Sequence, residues 1–213
     1  MKILISGFEP FGGSKMNPTE QLIQDIVHVS FEGVEIKTLL LPVYFDECAD
    51  LILQEIQSFE PDAVIACGVA AGRTAITPER IAINIKDIAP DSPYPDNRGV
   101  RPQDEPIHPD HPDGLFTNLP IRKMVERLRD QGIPALISNS AGTYICNNTM
   151  YALLDHMRIN QVPKLGGFIH FPASIEMATD KPSMPTMHQD TMLKGLQIII
   201  QTTIDELMKD KIY

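Results

Sequence analysis

Short apolar runs alternate with helix-patterned segments along nearly the whole chain, and that alternation restricts the possible folds more than any other feature. "KILIS" (Lys2 to Ser6) is apolar and ended by Gly7, as a buried strand would be. Asn17 then suits an N-cap and Pro18 a first helical position, with Leu22, Ile23, Ile26 and Val27 on one helical face. "VEIKTLLLPV" and "DAVIACG" read as strands on either side of a helix around Cys48 to Phe59 that Pro61 cannot continue. Further on, Arg80 to Ile85 alternates as a strand, and "IRKMVERLRDQG" is a helix stopped by Gly132. "IPALIS" reads as a strand, "CNNTMYALLDHMRI" as a helix, "LGGFIHF" as a strand, and His188 to Lys209 as a long final helix. Such an order predicts an α/β protein, a three-layer α/β/α sandwich around a mixed, largely parallel sheet.

A length of 213 residues with no break in composition suits one domain spanning 1–213. Seven prolines fall between Pro90 and Asn118, and a loop of that length inside a compact domain points to function or to an interaction surface. A formal charge of −10 lacks the basic stripe that nucleic acid requires, so no nucleic acid partner is expected. The first apolar run is too short for a signal peptide or a membrane span, which makes the cytoplasm the default location. The three cysteines, Cys48, Cys67 and Cys146, have neither disulfide-framework nor zinc-ligand spacing.

In an open α/β sheet, ligands collect beyond the C-terminal ends of the strands. That directs attention to the loops after Ser6, Cys67 and Ser138, and to His170 at the end of "GGFIH". Cys146 follows a strand and opens a helix, where free N–H groups and the helix dipole favour an anion and can lower a thiol pKa. Cys48 and Cys67 read as small core residues, and position alone does not decide between core and nucleophile for Cys146.

Among the six histidines, His156 is excluded as a partner because it lies ten positions along the same helix, roughly 15 Å away. His28 and His188 read as structural or exposed. His108 and His111, in "HPDHPDG", have proline beside each and no further ligand cluster, and read as a solvated loop with no metal. His170, at the end of a core strand, is the best candidate base, the other reading being a core histidine satisfied by backbone. Glu79 could orient it, although from spacing alone a surface glutamate paired with Arg80 is favoured. The chain has no GxSxG elbow, Walker A motif or GxGxxG fingerprint.

Four stretches together resemble the type I pyroglutamyl peptidases: "GFEPFGGSKMNPTE", "GVAAGRTAITPERIAIN", "SNSAGTYICNNTMYALL" and "GFIHFP". The resemblance implies Cys146 as nucleophile, His170 as base and Glu79 as its partner. It also implies a flat lactam ring held against Phe8 and Phe11, with Asn17 shaping the pocket loop. The implied activity is removal of an N-terminal pyroglutamyl residue from peptides through a thioester, without cofactor or metal. The implied fold is similar to that of the purine nucleoside phosphorylases, and the implied assembly is a homotetramer, for which the segment from Pro90 to Asn118 offers a surface. Two departures stand out. Pro93 in "DSPYPDN" occupies the place of a family arginine, and Val69 a place that often carries glutamine. A phosphorylase or amidase on the same scaffold, and a weakly active or purely pyroglutamate-binding relative, are the alternative readings.

Overall fold

A computed structural model describes residues 1–90 and 92–209. Strand β1 (Lys2–Phe8) runs parallel to β2 (Glu35–Leu41) on one side and to β3 (Ala63–Val69) on the other. β3 pairs in parallel with β7 (Leu165–Phe171), and the two-residue β4 (Thr77–Pro78) pairs antiparallel with β7. The order β2-β1-β3-β7-β4 is the mixed, largely parallel sheet that the alternation predicts.

Strand periodicity splits the core in two. Ile3 and Ile5 of β1 join Ile65 and Ile169 in one cluster with helices α1 (Pro18–Ile26), α3 (Ile121–Asp130) and α5 (Gln189–Lys209). Leu4 and Phe8 join Val64 and Phe168 in the other, with α2 (Glu47–Phe59) and α4 (Ile145–Asn160). Helices therefore cover both faces, as a sheet buried on both sides requires. α1 starts as its sequence dictates: Asn17 Oδ1 accepts from Thr19 N at 3.0 Å, and Pro18 follows in the first turn. Strand and helix meet closely at Gly7, where a Cβ would strike the carbonyl of Thr19.

Two expected strands come out differently. Residues 133–138 form only isolated bridges, Ala135 with Ile76 and Ser138 with Glu79. The backbone bonds Ile76 N to Pro134 O, Leu136 N to Ile76 O, Ser138 N to Pro78 O and Arg80 N to Ser138 O outline a parallel ladder. Its central rung would need an N–H on Pro78, which proline lacks. The stretch from Arg80 to Ile85 contributes only β5 (Ile81–Ile83), which pairs with β6 (Gly114–Phe116) in a separate antiparallel ribbon. β6 belongs to the proline-rich segment and, at three residues, is too short to show a period in sequence. His188 lies just ahead of α5 rather than inside it.

Candidate active site

Alternation along β7 turns Phe168 and His170 toward α4, with their ring centroids 4.9 Å apart. In the antiparallel register Thr77 lies opposite His170, and Glu79 N donates to Phe168 O at 2.9 Å, so Glu79 stands diagonally beside the imidazole on the same face. His170 Nδ1 and Glu79 Oε1 are 2.7 Å apart, and both residues are buried. Glu79 thus does not form the surface pair with Arg80 that spacing favoured; Arg80 Nε donates to Asn139 instead. Arg73, in the turn after β3, donates through Nη1 to Glu79 Oε1 and to Thr77 Oγ1, each at 2.6 Å, and through Nη2 to Ser140 O at 3.3 Å.

Cys146 enters from the helical layer. It occupies the second position of α4, whose N-cap Tyr144 makes no side-chain capping bond. The first N–H groups of the helix therefore have no intrahelical acceptor beside the thiol. Gly68 is the register partner of His170 across β3 and β7, and a Cβ on Gly68 would lie 3.0 Å from Cys146 Sγ and 2.8 Å from the Phe168 ring. The missing side chain lets the sulfur settle on the sheet next to the histidine. Neighbouring strands are about 4.8 Å apart, which sets the scale of that juxtaposition.

The electrostatics favour a neutral resting pair. Protein crowds Cys146 closely although part of its surface stays open, and burial, with the Cys48 and Glu79 charges adding and Arg73 opposing, pushes the thiol up to about 12. Desolvation is the largest of these influences. Burial holds His170 below the ordinary histidine value and Arg73 adds to this, against the pull of Glu79. For Glu79, burial pushes upward, but the hydrogen bond and charge of His170, with Arg73, bring the net value below the usual carboxylate range. An ionised Glu79 can only accept, so the Nδ1 of His170 carries the proton and Nε2 keeps a free lone pair. Glu79 Oε2 has no partner, since the neighbouring Ser138 Oγ donates to Ser140 O.

Phe8, Phe11 and Asn17 share one small cavity with Cys146, closed by Val43, Val69, Tyr144 and Ile145. Phe8 is buried and packs on Phe168, whereas Phe11 is half-buried with its ring 6.2 Å from that of Tyr144. Asn17 spends its carbonyl oxygen on Thr19 and one amide hydrogen on Glu9 O, so it shapes the loop first. Wider clefts lie elsewhere, one of about 490 Å³ between the end of α2 and the lead-in to β7, but none of its lining residues belongs to the Cys146 group. Pro93 is exposed, and its neighbours brace the loop after β1: Tyr94 packs on Gly12, and Asn97 Nδ2 donates to Pro10 O. Cys48 and Cys67 are fully buried, and burial raises both thiols. Sequence reasoning missed Arg73 and Gly68. Arg73 sits in the loop after β3 and Gly68 in the last residues of β3 itself, but neither an arginine in a turn nor a glycine in a strand distinguishes itself without the register.

The likeness to known proteins covers essentially the whole chain. The family model described as pyroglutamyl peptidase matches residues 1–206. The pyrrolidone-carboxylate peptidase of Pyrococcus furiosus is 40% identical over 212 residues, spanning 98% of this chain and 100% of the relative. That of Vibrio parahaemolyticus is 41% identical over 204 residues, 96% and 93% of the two chains. The solved structure of a mutant pyrrolidone carboxyl peptidase from P. furiosus superposes with a TM-score of 0.93 at 39% identity, covering 97% of this chain and 100% of that one. Agreement of sequence, fold and length at once leaves one conclusion: the chain belongs to the pyroglutamyl peptidase family.

Proposed function

We propose that the protein is a cysteine exopeptidase that removes an N-terminal pyroglutamyl residue from peptides, with Cys146 as nucleophile, His170 as general base and acid, and Glu79 as the group that orients His170. One observation carries the reading: the thiol on α4 rests over Gly68, beside a buried histidine whose Nδ1 is held 2.7 Å from a carboxylate. As Sγ attacks the pyroglutamyl carbonyl carbon, its proton passes to His170 Nε2, and the N–H groups that open α4 receive the oxyanion. Collapse breaks the C–N bond. His170 returns the proton to the departing amine, leaving a thioester. Water then attacks, gives its proton to His170, and pyroglutamate leaves as the thiol is restored.

The cavity at Cys146, about 20 Å³, holds about one water, so its lining must part before a lactam enters. Its lining offers no carboxylate to a free α-ammonium, and burying that charge unpaired is costly, which favours a neutral lactam. Val69 keeps the wall apolar. Arg73 supplies a guanidinium at Glu79, and the exposed Pro93 contributes none to the site.

The same reading places a single domain over 1–213 in the cytoplasm, as a homotetramer. Three free thiols suit a reducing compartment. Phe116 of β6 is 69% exposed at the end of the proline-rich segment, a surface that self-assembly would cover. No described helix is long and apolar enough to cross a membrane.

A fluorogenic pyroglutamyl amide tests the function. Parent protein should turn it over, and Cys146→Ser should lose at least about 10³-fold in kcat/KM. Turnover that survives loss of the thiol would overturn the mechanism. A folded parent that binds pyroglutamate without hydrolysing the amide would establish the binding-only alternative. Light scattering after size exclusion reads the subunit number.

A further inference from the structure

The motif "HPDHPDG" has no part in the chemistry above, and the fold supplies the partner its sequence neighbourhood lacks. His108 and His111 both turn Nδ1 toward Asp155, which projects from α4: the distances to Asp155 Oδ2 are 2.8 and 2.7 Å. The imidazole rings stand at 76° with centroids 5.2 Å apart, so their nitrogens converge from two directions on one point. The three atoms lie within 4.8 Å of one another. Asp155 is buried, while the histidine side chains are 38% and 35% exposed, which leaves the outer side of the cluster open to water. A cavity of about 400 Å³ adjoins it, lined among others by Leu53, Ala152 and Ile159.

The residues around the three are arranged to hold them. Arg158 donates to Asp155 Oδ1 through Nε at 3.0 Å and Nη2 at 2.8 Å, so the carboxylate presents only Oδ2. Asn84 grips the loop at both histidines: Nδ2 donates to His108 O at 2.8 Å and His111 O at 3.2 Å, and Oδ1 accepts from His108 N at 2.9 Å. Tyr151 Oη donates to Pro112 O at 2.6 Å, and its ring packs edge-on against His108. Such outer bonds orient metal ligands, and here both histidines are pinned at the backbone and the aspartate at its second oxygen.

We propose that His108, His111 and Asp155 bind one divalent transition-metal cation of the zinc class through Nδ1, Nδ1 and Oδ2, and that this cation fastens the proline-rich segment to α4. Two imidazoles and one carboxylate suit zinc, cobalt or nickel and are poor for magnesium or calcium. Ligand bonds near 2.0–2.1 Å put tetrahedral ligand atoms about 3.3 Å apart, so the N to O distances need to open by only roughly half an ångström. Water completes the coordination from the exposed side. The site lies nine residues along α4 from Cys146, about 13 Å by helical rise, so the cation takes no part in peptide cleavage.

Cobalt(II) titration of the whole chain tests this, in the Cys146→Ser background to remove the accessible thiol. One equivalent should bind, producing visible d–d bands with no thiolate charge-transfer band, and the His108 and His111 imidazole NMR signals should shift more strongly than those of the other histidines. His108→Ala and His111→Ala should each weaken uptake at least about tenfold, and the double variant should lose saturable binding. Zinc should raise the melting temperature of the parent and not of the double variant. A parent that takes up no stoichiometric cation overturns the proposal, whatever the variants do. So does equal uptake by the double variant, or a spectrum dominated by sulfur.

Discussion

Glu79 holds two donors on one oxygen, His170 and Arg73, and leaves its other oxygen without a partner in a fully buried place. A charge so surrounded fixes the histidine tautomer. Glu79→Gln keeps the shape but removes the charge and allows the wrong tautomer, so kcat should fall about 10²- to 10⁴-fold with little change in KM, as steady-state kinetics would reveal. The acid limb of the pH–rate profile follows from the same site. In its proposed role as base His170 must be neutral, and burial holds its pKa below the ordinary histidine value, so activity should persist below about pH 6.5 before falling. With the thiol at about 12, the free protein should show no thiolate absorbance in the ultraviolet at neutral pH. An apparent thiol pKa below 7 would contradict the neutral resting pair. Position at the end of a core strand singled out His170 before the structure, whereas Cys146 stood between core residue and nucleophile until the family resemblance pointed to it. Spacing alone favoured a surface role for Glu79, which only the resemblance set beside His170, and gave no partner to Asp155, because the partners of both are distant in sequence and only pairing between elements brings them near.

Helix α4 joins more of the molecule than its length suggests. Asn147, next to Cys146, accepts from Ile83 N and donates to Ile83 O and Ile85 O, tying the helix to β5. Asn147→Ala should cost about 2 kcal/mol in chemical denaturation by leaving those backbone groups unpaired, and kcat should fall along with stability. The long strands β1, β3 and β7 were readable because complete burial leaves an apolar run that no surface chemistry interrupts. β5 was legible within the alternation of Arg80 to Ile85, but its partner β6 was not, since a strand of three residues has no period, and the break in the 133–138 strand was not, since its cause lies in Pro78 on the opposite chain segment. The helices were the most legible elements: caps and punctuation at Asn17 and Gly132 fall within a residue or two of the observed ends.

Across the whole molecule, three buried groups titrate in one direction. Glu79 and Asp155 have folded-state pKa values below their ordinary ones, with burial opposed and overcome by their histidine and arginine partners, and burial also lowers His170. Each of the three binds a proton more readily unfolded than folded. The histidine contribution to stability is present above about pH 6.5 and is lost as pH falls through the folded value, and the carboxylate contributions follow at lower pH. Denaturant midpoints should therefore hold near neutrality and decline steadily on acidification; a midpoint that rises as pH drops below 6 would contradict this sign.

The seat of Cys146 on the bare backbone of Gly68 has one more consequence. The proposed nucleophile belongs to a helix and the proposed base to the sheet, and what holds Cys146 to the sheet among the described residues is contact with Gly68. Turnover therefore acts as a gauge of the gap between layers, far finer than any spectroscopic measure of helix content. A slip of α4 by an ångström would silence the enzyme while its secondary structure stayed whole. In rising denaturant, loss of activity should precede loss of far-ultraviolet ellipticity, and the interval between the two curves would measure how loosely the layer that carries the thiol is held.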